Sequence, residues 1–148
     1  MKAIKTILFA TDFSESSDEA FDYALSFSRS FGARLVLLHV ISEPVDMRGF
    51  YVPHISFDSL EDEIVASAKK MLGDFCAAQM KETDSYKFEV VTGVPFEKII
   101  AHAESEHADL IVVGTHGRGG LDHILFGSNA EKIVRKSPVP VLTVRKNS

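Results

Sequence analysis

The residues of this chain best suited to chemistry are glycines. The stretch 113-VGTHGRGGLDHILFGSNA-130 places Gly114, Gly117, Gly119 and Gly120 at and just after the end of an apolar run, and Gly127-Ser128 directly before a helical pattern. Backbone without Cβ atoms takes positive φ at little steric cost and lets a ligand come close. Amide groups along such a loop and at the next helix start form a concave donor surface, and the helix dipole favours an anion there. Ser128 adds a hydroxyl donor, and Arg118 either neutralises phosphate or projects into water. Together these parts suit a phosphate chain. A plainer reading stays open, because Ser128 and Glu131 have capping-box spacing and Gly-Arg-Gly-Gly also makes a surface turn.

Two common phosphate signatures fail. Asp122 stands where the third glycine of G-x-G-x-x-G would fall after Gly117 and Gly119, and no G-x-x-x-x-G-K-[ST] occurs. Without the P-loop lysine, rapid phosphoryl transfer loses its usual support. Ser128 lies in no G-x-S-x-G elbow. His39, His54, His102, His107, His116 and His123 are scattered without metal-ligand spacing, and the single Cys76 offers no cluster, so neither a catalytic residue nor a metal site is assigned. His102 and His107 are expected on the surface of one helix. Asp12, after the first apolar run, has three uses: accepting from a ribose or an adenine amine, capping the next helix, or holding Mg²⁺ carried by a polyphosphate. Val40, ending the second apolar run, offers backbone groups and an apolar edge to a planar base, or serves the core alone.

These residues need a frame that brings the ends of several strands together. Ile4 to Thr11 reads as a strand, followed by a helix opened by Ser16 and Glu19, with Ala20, Tyr23, Ala24, Phe27 and Phe31 on its core side and Gly32 at its end. Leu35 to Ile41 is a second strand, with the unbroken apolar character of one covered on both faces. A long connection, 42–59, leads to a helix from Leu60 to Lys81, capped by Asp58 or Ser59, with Leu60, Ile64, Ala68, Met71, Leu72 and Phe75 inward. Tyr86 to Thr92 is a third strand. Pro95 opens a helix reaching Glu106. Asp109 to Gly114, a helix over Ser128 to Lys136, and a last strand over Val139 to Val144 complete the pattern. Strict strand and helix alternation predicts an α/β fold: an open, doubly wound parallel sheet with right-handed crossovers and helices on both faces. In such sheets ligands bind beyond the carboxyl ends of the strands, where neighbouring connections diverge. If the first and fourth strands are neighbours, Asp12 faces the glycine loop.

With 148 residues the chain is expected to form one domain, 1–148. No apolar run reaches the roughly 18 residues of a membrane span, and Met1-Lys-Ala-Ile-Lys5 is no secretory leader, so a cytoplasmic location is expected. A formal charge of −5, without a basic stripe, disfavours nonspecific nucleic-acid binding, which depends on neutralising phosphates.

The motif Gly114-x-x-Gly117, then nine residues, then Gly127-Ser128 closely resembles the universal stress protein family in its nucleotide-binding branch. It is preceded by 110-LIVVG-114 and followed by Ala130-Glu131 and 138-PVPVLTVR-145. The segments 7-ILFATDFSESSDEAFDYA-24 and 34-RLVLLHV-40 are similar to it as well. The resemblance implies a five-stranded, Rossmann-like parallel sheet, of order 3-2-1-4-5, that binds an adenine nucleotide. ATP is the usual ligand, with AMP or ADP as alternatives and Mg²⁺ carried by the nucleotide. By that likeness Asp12 sits near adenine or ribose, Val40 holds the adenine through backbone groups, and Val113 and Gly114 line the ribose end. Gly117, Arg118, Gly127, Ser128 and Asn129 surround the phosphates. It further implies a homodimer through strand 139–144 and a stress-response or regulatory role, with at most slow hydrolysis. The alternatives are an adenylating enzyme, against which the lack of an S-G-G-x-D-S-like loop after Thr11 argues, and a ligand-free interaction module.

Overall fold

The fold is seen in a computed structural model that describes residues 2–42, 57–116 and 127–146. Five strands alternate with four helices: β1 (Thr6–Ala10), α1 (Glu15–Phe31), β2 (Arg34–Ser42), α2 (Phe57–Gln79), β3 (Tyr86–Gly93), α3 (Pro95–Ser105), β4 (Leu110–Gly114), α4 (Ser128–Lys136) and β5 (Val141–Val144). All pairings are parallel and the sheet order is β3-β2-β1-β4-β5, the doubly wound order expected. Glycine-loop and Asp12 ends therefore lie on neighbouring strands.

The apolar strands read as unbroken because each of their two faces meets helices. Ile7, Phe9, Leu35, Leu37 and Val112 pack with Phe21, Leu72 and Cys76 of α1 and α2. Leu8, Val36, Leu38, Ile111 and Val113 point the other way, onto Ile99 and Ala103 of α3 and Ile133 of α4. The connection leaving β1 thus runs to the α1–α2 layer, while the one leaving β4 runs to the α3–α4 layer. A crevice must open between them at the carboxyl edge.

Several element details differ from the sequence reading. Helix α1 is capped by Ser14, whose side chain accepts from Ser17 N–H, and Ser16 is buried inside the helix. The buried face of α1 is Ala20, Phe21, Ala24 and Ser28, whereas Tyr23 and Phe31 are half exposed, at 52% and 50%. A three-and-four spacing fits two adjacent stripes, and Phe21 decides between them. Its ring packs on Phe9 and edge-on to Phe75, at 5.6 and 4.7 Å, burial that contributes about 1.5–3 kcal/mol. Ser28 is tolerated inside because its hydroxyl donates to Ala33 O at 2.7 Å. Gly32 ends α1 in the left-handed region, φ 63°, where its N–H donates to Ser28 O.

Phe57, Asp58 and Ser59 are already within helix α2, so neither Asp58 nor Ser59 precedes it as a cap, and Met71 is 49% exposed. Asp109 precedes β4 instead of joining it, and its carboxylate accepts from the N–H groups of Lys5 and Thr6, fixing the entry to β1. Strand β5 starts only after Pro140, which has no N–H, although the Pro140 carbonyl already accepts from Ile111. His102 and His107 do not share a helix. His102 is half-buried and bonded to Glu89 at 2.6 Å, while His107 follows the end of α3 at φ 54°.

Candidate functional site

A crevice of about 1090 Å³ opens at the carboxyl ends of β1, β2 and β4. That is at the upper end of the roughly 300–1,000 Å³ of small-molecule sites. Seven of the residues singled out from sequence line it: Asp12 after β1, Val40 in β2, Val113 and Gly114 in β4, and Gly127, Ser128 and Asn129 at the start of α4. Gly117 and Arg118 lie outside the described residues, as does most of the 42–59 connection.

The β1 side is built from a short hydrogen-bonded turn. Thr11 N–H extends the sheet by donating to Leu38 O at 2.9 Å. Its hydroxyl accepts from Phe13 N–H and lies 3.1 Å from the Ser17 hydroxyl. Asp12 Oδ1 accepts from Ser14 N–H at 3.0 Å. The carboxylate therefore stiffens the turn but does not cap α1, since Ser14 does that. Negative charge collects here. Burial first, then Asp22, Glu15 and Asp12, hold the Asp18 carboxyl above its usual range.

The β4 side is equally constrained. A Cβ on Gly114 would stand 2.5 Å from Ser16 Oγ and 2.8–2.9 Å from the Ser16 carbonyl carbon and oxygen. The close approach that Gly114 permits is thus, first, that of α1 to the end of β4. Ser16 Oγ in turn accepts from His116 N–H and donates to Val144 O, both at 3.4 Å. Thr115 is buried, with its N–H on Val144 O and its carbonyl taking Gly127 N–H at 2.6 Å.

That last bond decides how α4 starts. Gly127 is the N-cap, at φ −67° and ψ 148°, and among the described residues no side chain caps the helix. Ser128 stands one position inside, so the capping-box reading of Ser128 and Glu131 fails. Glu131 N–H makes the first intrahelical bond, to Gly127 O. The N–H groups of Ser128, Asn129 and Ala130 belong to the first turn, where the helix itself supplies no acceptor. They gather with the positive end of the α4 dipole at the crevice, an arrangement that can receive an anion.

The sequence reading missed other residues of the same wall. Thr11, Phe13, His39 and Thr115 line the crevice, and α2 adds Ile64, Ser67 and Met71. A signal was present for His39: it is the one polar residue within the apolar run 35–41, directly before Val40. Met71 could not be found by periodicity, because its place on the helix wheel is also a core place. Among the described residues no group of three or more metal-binding side chains occurs, and no helix is long and apolar enough to cross a membrane.

A parallel sheet of this order, wound on both faces, with an uncapped helix start at its switch point, defines a Rossmann-like α/β protein. The profile of the universal stress protein family matches residues 3–145, and the chain belongs to that family. Universal stress protein MJ0577 of Methanocaldococcus jannaschii is 35% identical over 97% of this chain and 97% of its own length. Universal stress protein A homolog 1 of Coxiella burnetii is 38% identical, covering 95% of each. The solved structure of MJ0577 matches with a TM-score of 0.84 at 30% identity, covering 99% of both chains.

Proposed function

We propose that this chain binds an adenine nucleotide in the crevice and acts as a cytoplasmic stress-response or regulatory protein. ATP is the leading ligand, AMP or ADP the alternatives, and Mg²⁺ enters with the nucleotide. The observation that carries this reading is the start of α4, where Gly127 replaces a side-chain cap and the amides of Ser128, Asn129 and Ala130 are left to an anion. Charge gives the ligand a direction. Phosphates are favoured at the α4 amides and disfavoured beside the Asp12 carboxylate, so the base and ribose belong at the β1–β2 end, next to Asp12 and Val40. Membership of the universal stress protein family supports the same ligand class.

The proposal extends to a homodimer formed through strand 139–144. In this sheet β5 is an edge, and pairing would cover an exposed ladder of backbone groups. Hydrolysis, if measured, is expected to be slow, because the sequence lacks the P-loop lysine that supports rapid phosphoryl transfer. The test is to denature freshly purified protein, identify the released small molecules by mass, and titrate stripped protein with ATP and AMP, with and without Mg²⁺, by calorimetry. Near one nucleotide per chain supports the proposal. Absence of saturable binding of any adenine nucleotide refutes it.

A further inference from the structure

His39 occupies the carboxyl end of β2 and lines the crevice without belonging to the residues that sequence reasoning assigned to it. Its Nδ1 lies 2.7 Å from the carbonyl oxygen of Thr11. A carbonyl only accepts, so Nδ1 carries the proton and donates. The imidazole lies against the Phe13 ring, tilted by 44° with ring centres 4.5 Å apart. Phe13 itself holds φ 63°, a left-handed conformation rare for an aromatic residue. The backbone ladder of β1 and β2 ends with Thr11 N–H on Leu38 O. One atom group further on, the imidazole takes the Thr11 carbonyl.

That carbonyl belongs to the peptide plane joining Thr11 to Asp12, because a peptide unit is rigid from one Cα to the next. Fixing its oxygen fixes the plane from which the Asp12 backbone departs. On the other side, Ser14 N–H holds Asp12 Oδ1 at 3.0 Å. We infer that His39 is a positioning residue for Asp12: its Nδ1–H orients the Thr11–Asp12 peptide and thereby aims the Asp12 carboxylate at the base and ribose end of the crevice. This rests on the nucleotide reading above. A core strand and the ligand-facing turn are thus joined by the ring beyond the last backbone bond, that of Thr11 N–H to Leu38 O.

The experiment compares wild type with H39N, H39L and H39Q. Asparagine places an N–H near the position of Nδ1, whereas leucine has no donor and glutamine carries its amide one bond farther out. Calorimetry with ATP is expected to show H39N within about twofold of wild type, and H39L and H39Q weaker by about fivefold, the value of one ordinary hydrogen bond. Amide hydrogen exchange at Ser14 supplies a ligand-free readout: protection is retained in H39N and reduced in H39L and H39Q. H39Q carries the test if H39L does not fold. Equal affinity and equal Ser14 protection in H39L and wild type overturn the inference, as does H39N behaving like H39L. If wild type binds no adenine nucleotide while Ser14 protection follows the donor, the functional reading falls and the positioning of Asp12 stands. If wild type binds but neither readout responds to the donor, the reverse holds.

Discussion

Replacing Gly114 by alanine tests the packing that shapes the crevice. The added Cβ would lie 2.5 Å from Ser16 Oγ, which can rotate away, and 2.8 and 2.9 Å from the Ser16 carbonyl carbon and oxygen, which cannot. The first turn of α1 must then move off β4 by several tenths of an ångström. Overpacking of this kind costs about 1–3 kcal/mol. The displacement also strains the Ser16 bonds to His116 N–H and Val144 O, each worth about 0.5–1.5 kcal/mol, though at 3.4 Å they stand at the low end. A total near 3 kcal/mol is expected, a fall in Tm of roughly 6–12 °C for a chain of this size. Urea unfolding followed by circular dichroism reads it as a lower midpoint with unchanged slope. Gly32→Ala is the internal control. No atom lies within 4 Å of its added Cβ, so only the strain of φ 63° remains, about 1 kcal/mol. If Gly114→Ala unfolds within 0.5 kcal/mol of wild type, or costs less than Gly32→Ala, the reasoning is wrong.

Ser14→Ala is expected to destabilise by about 1 kcal/mol through loss of the α1 cap, while Ser128→Ala changes stability by less than about 0.5 kcal/mol, because Ser128 caps nothing; urea midpoints distinguish the two. The Asp84 carboxyl is lowered to about 2, chiefly by the Arg29 guanidinium at 2.9 and 3.0 Å and then by Lys81 N–H. Its folded pKa lies below the unfolded value near 3.9, so its stabilisation is present above about pH 4 and is lost as pH falls towards 2. Asp84→Asn should therefore be less stable at pH 7, and the gap to wild type should close as pH falls through 2; a constant gap between pH 7 and 2 would reject the assignment. Burial pushes the Cys76 thiol up to about 11, and at pH 8 it should react with an aromatic disulfide reagent only as fast as the protein opens. Completion within seconds on folded protein would contradict its burial.

Strand and helix alternation was legible because long apolar runs and three-and-four spacings are local properties of the chain, and the sheet order followed from family likeness. What escaped was the rotation and termination of elements. Ser14, Ser16 and Ser17 are near-equivalent in sequence, and only the crossing of α1 over Gly114 selects Ser14 as cap and buries Ser16. The same holds at α4, where Gly127 became the cap because its N–H is tied to Thr115 O, a partner twelve residues away. The site followed this division. Asp12, Gly114, Gly127 and Ser128 could be placed by type and spacing, but His39 takes its meaning from a carbonyl on a different strand, and no periodicity shows that contact.

Ser16 also bears on how fast a ligand is admitted. From α1 it touches Gly114 and His116 on the β4 side and Val144 of β5, so the helix that follows the Asp12 turn is tied to the ends of both strands. For the nucleotide proposed above, these contacts should hold the α4 amides and the Asp12 turn near the separation that binding needs. Little of its affinity is then spent on drawing the walls together. Association should run at a rate set by encounter and orientation, linear in ligand concentration without the plateau that a closing step imposes, and differences in affinity between ligands should reside in how quickly they leave.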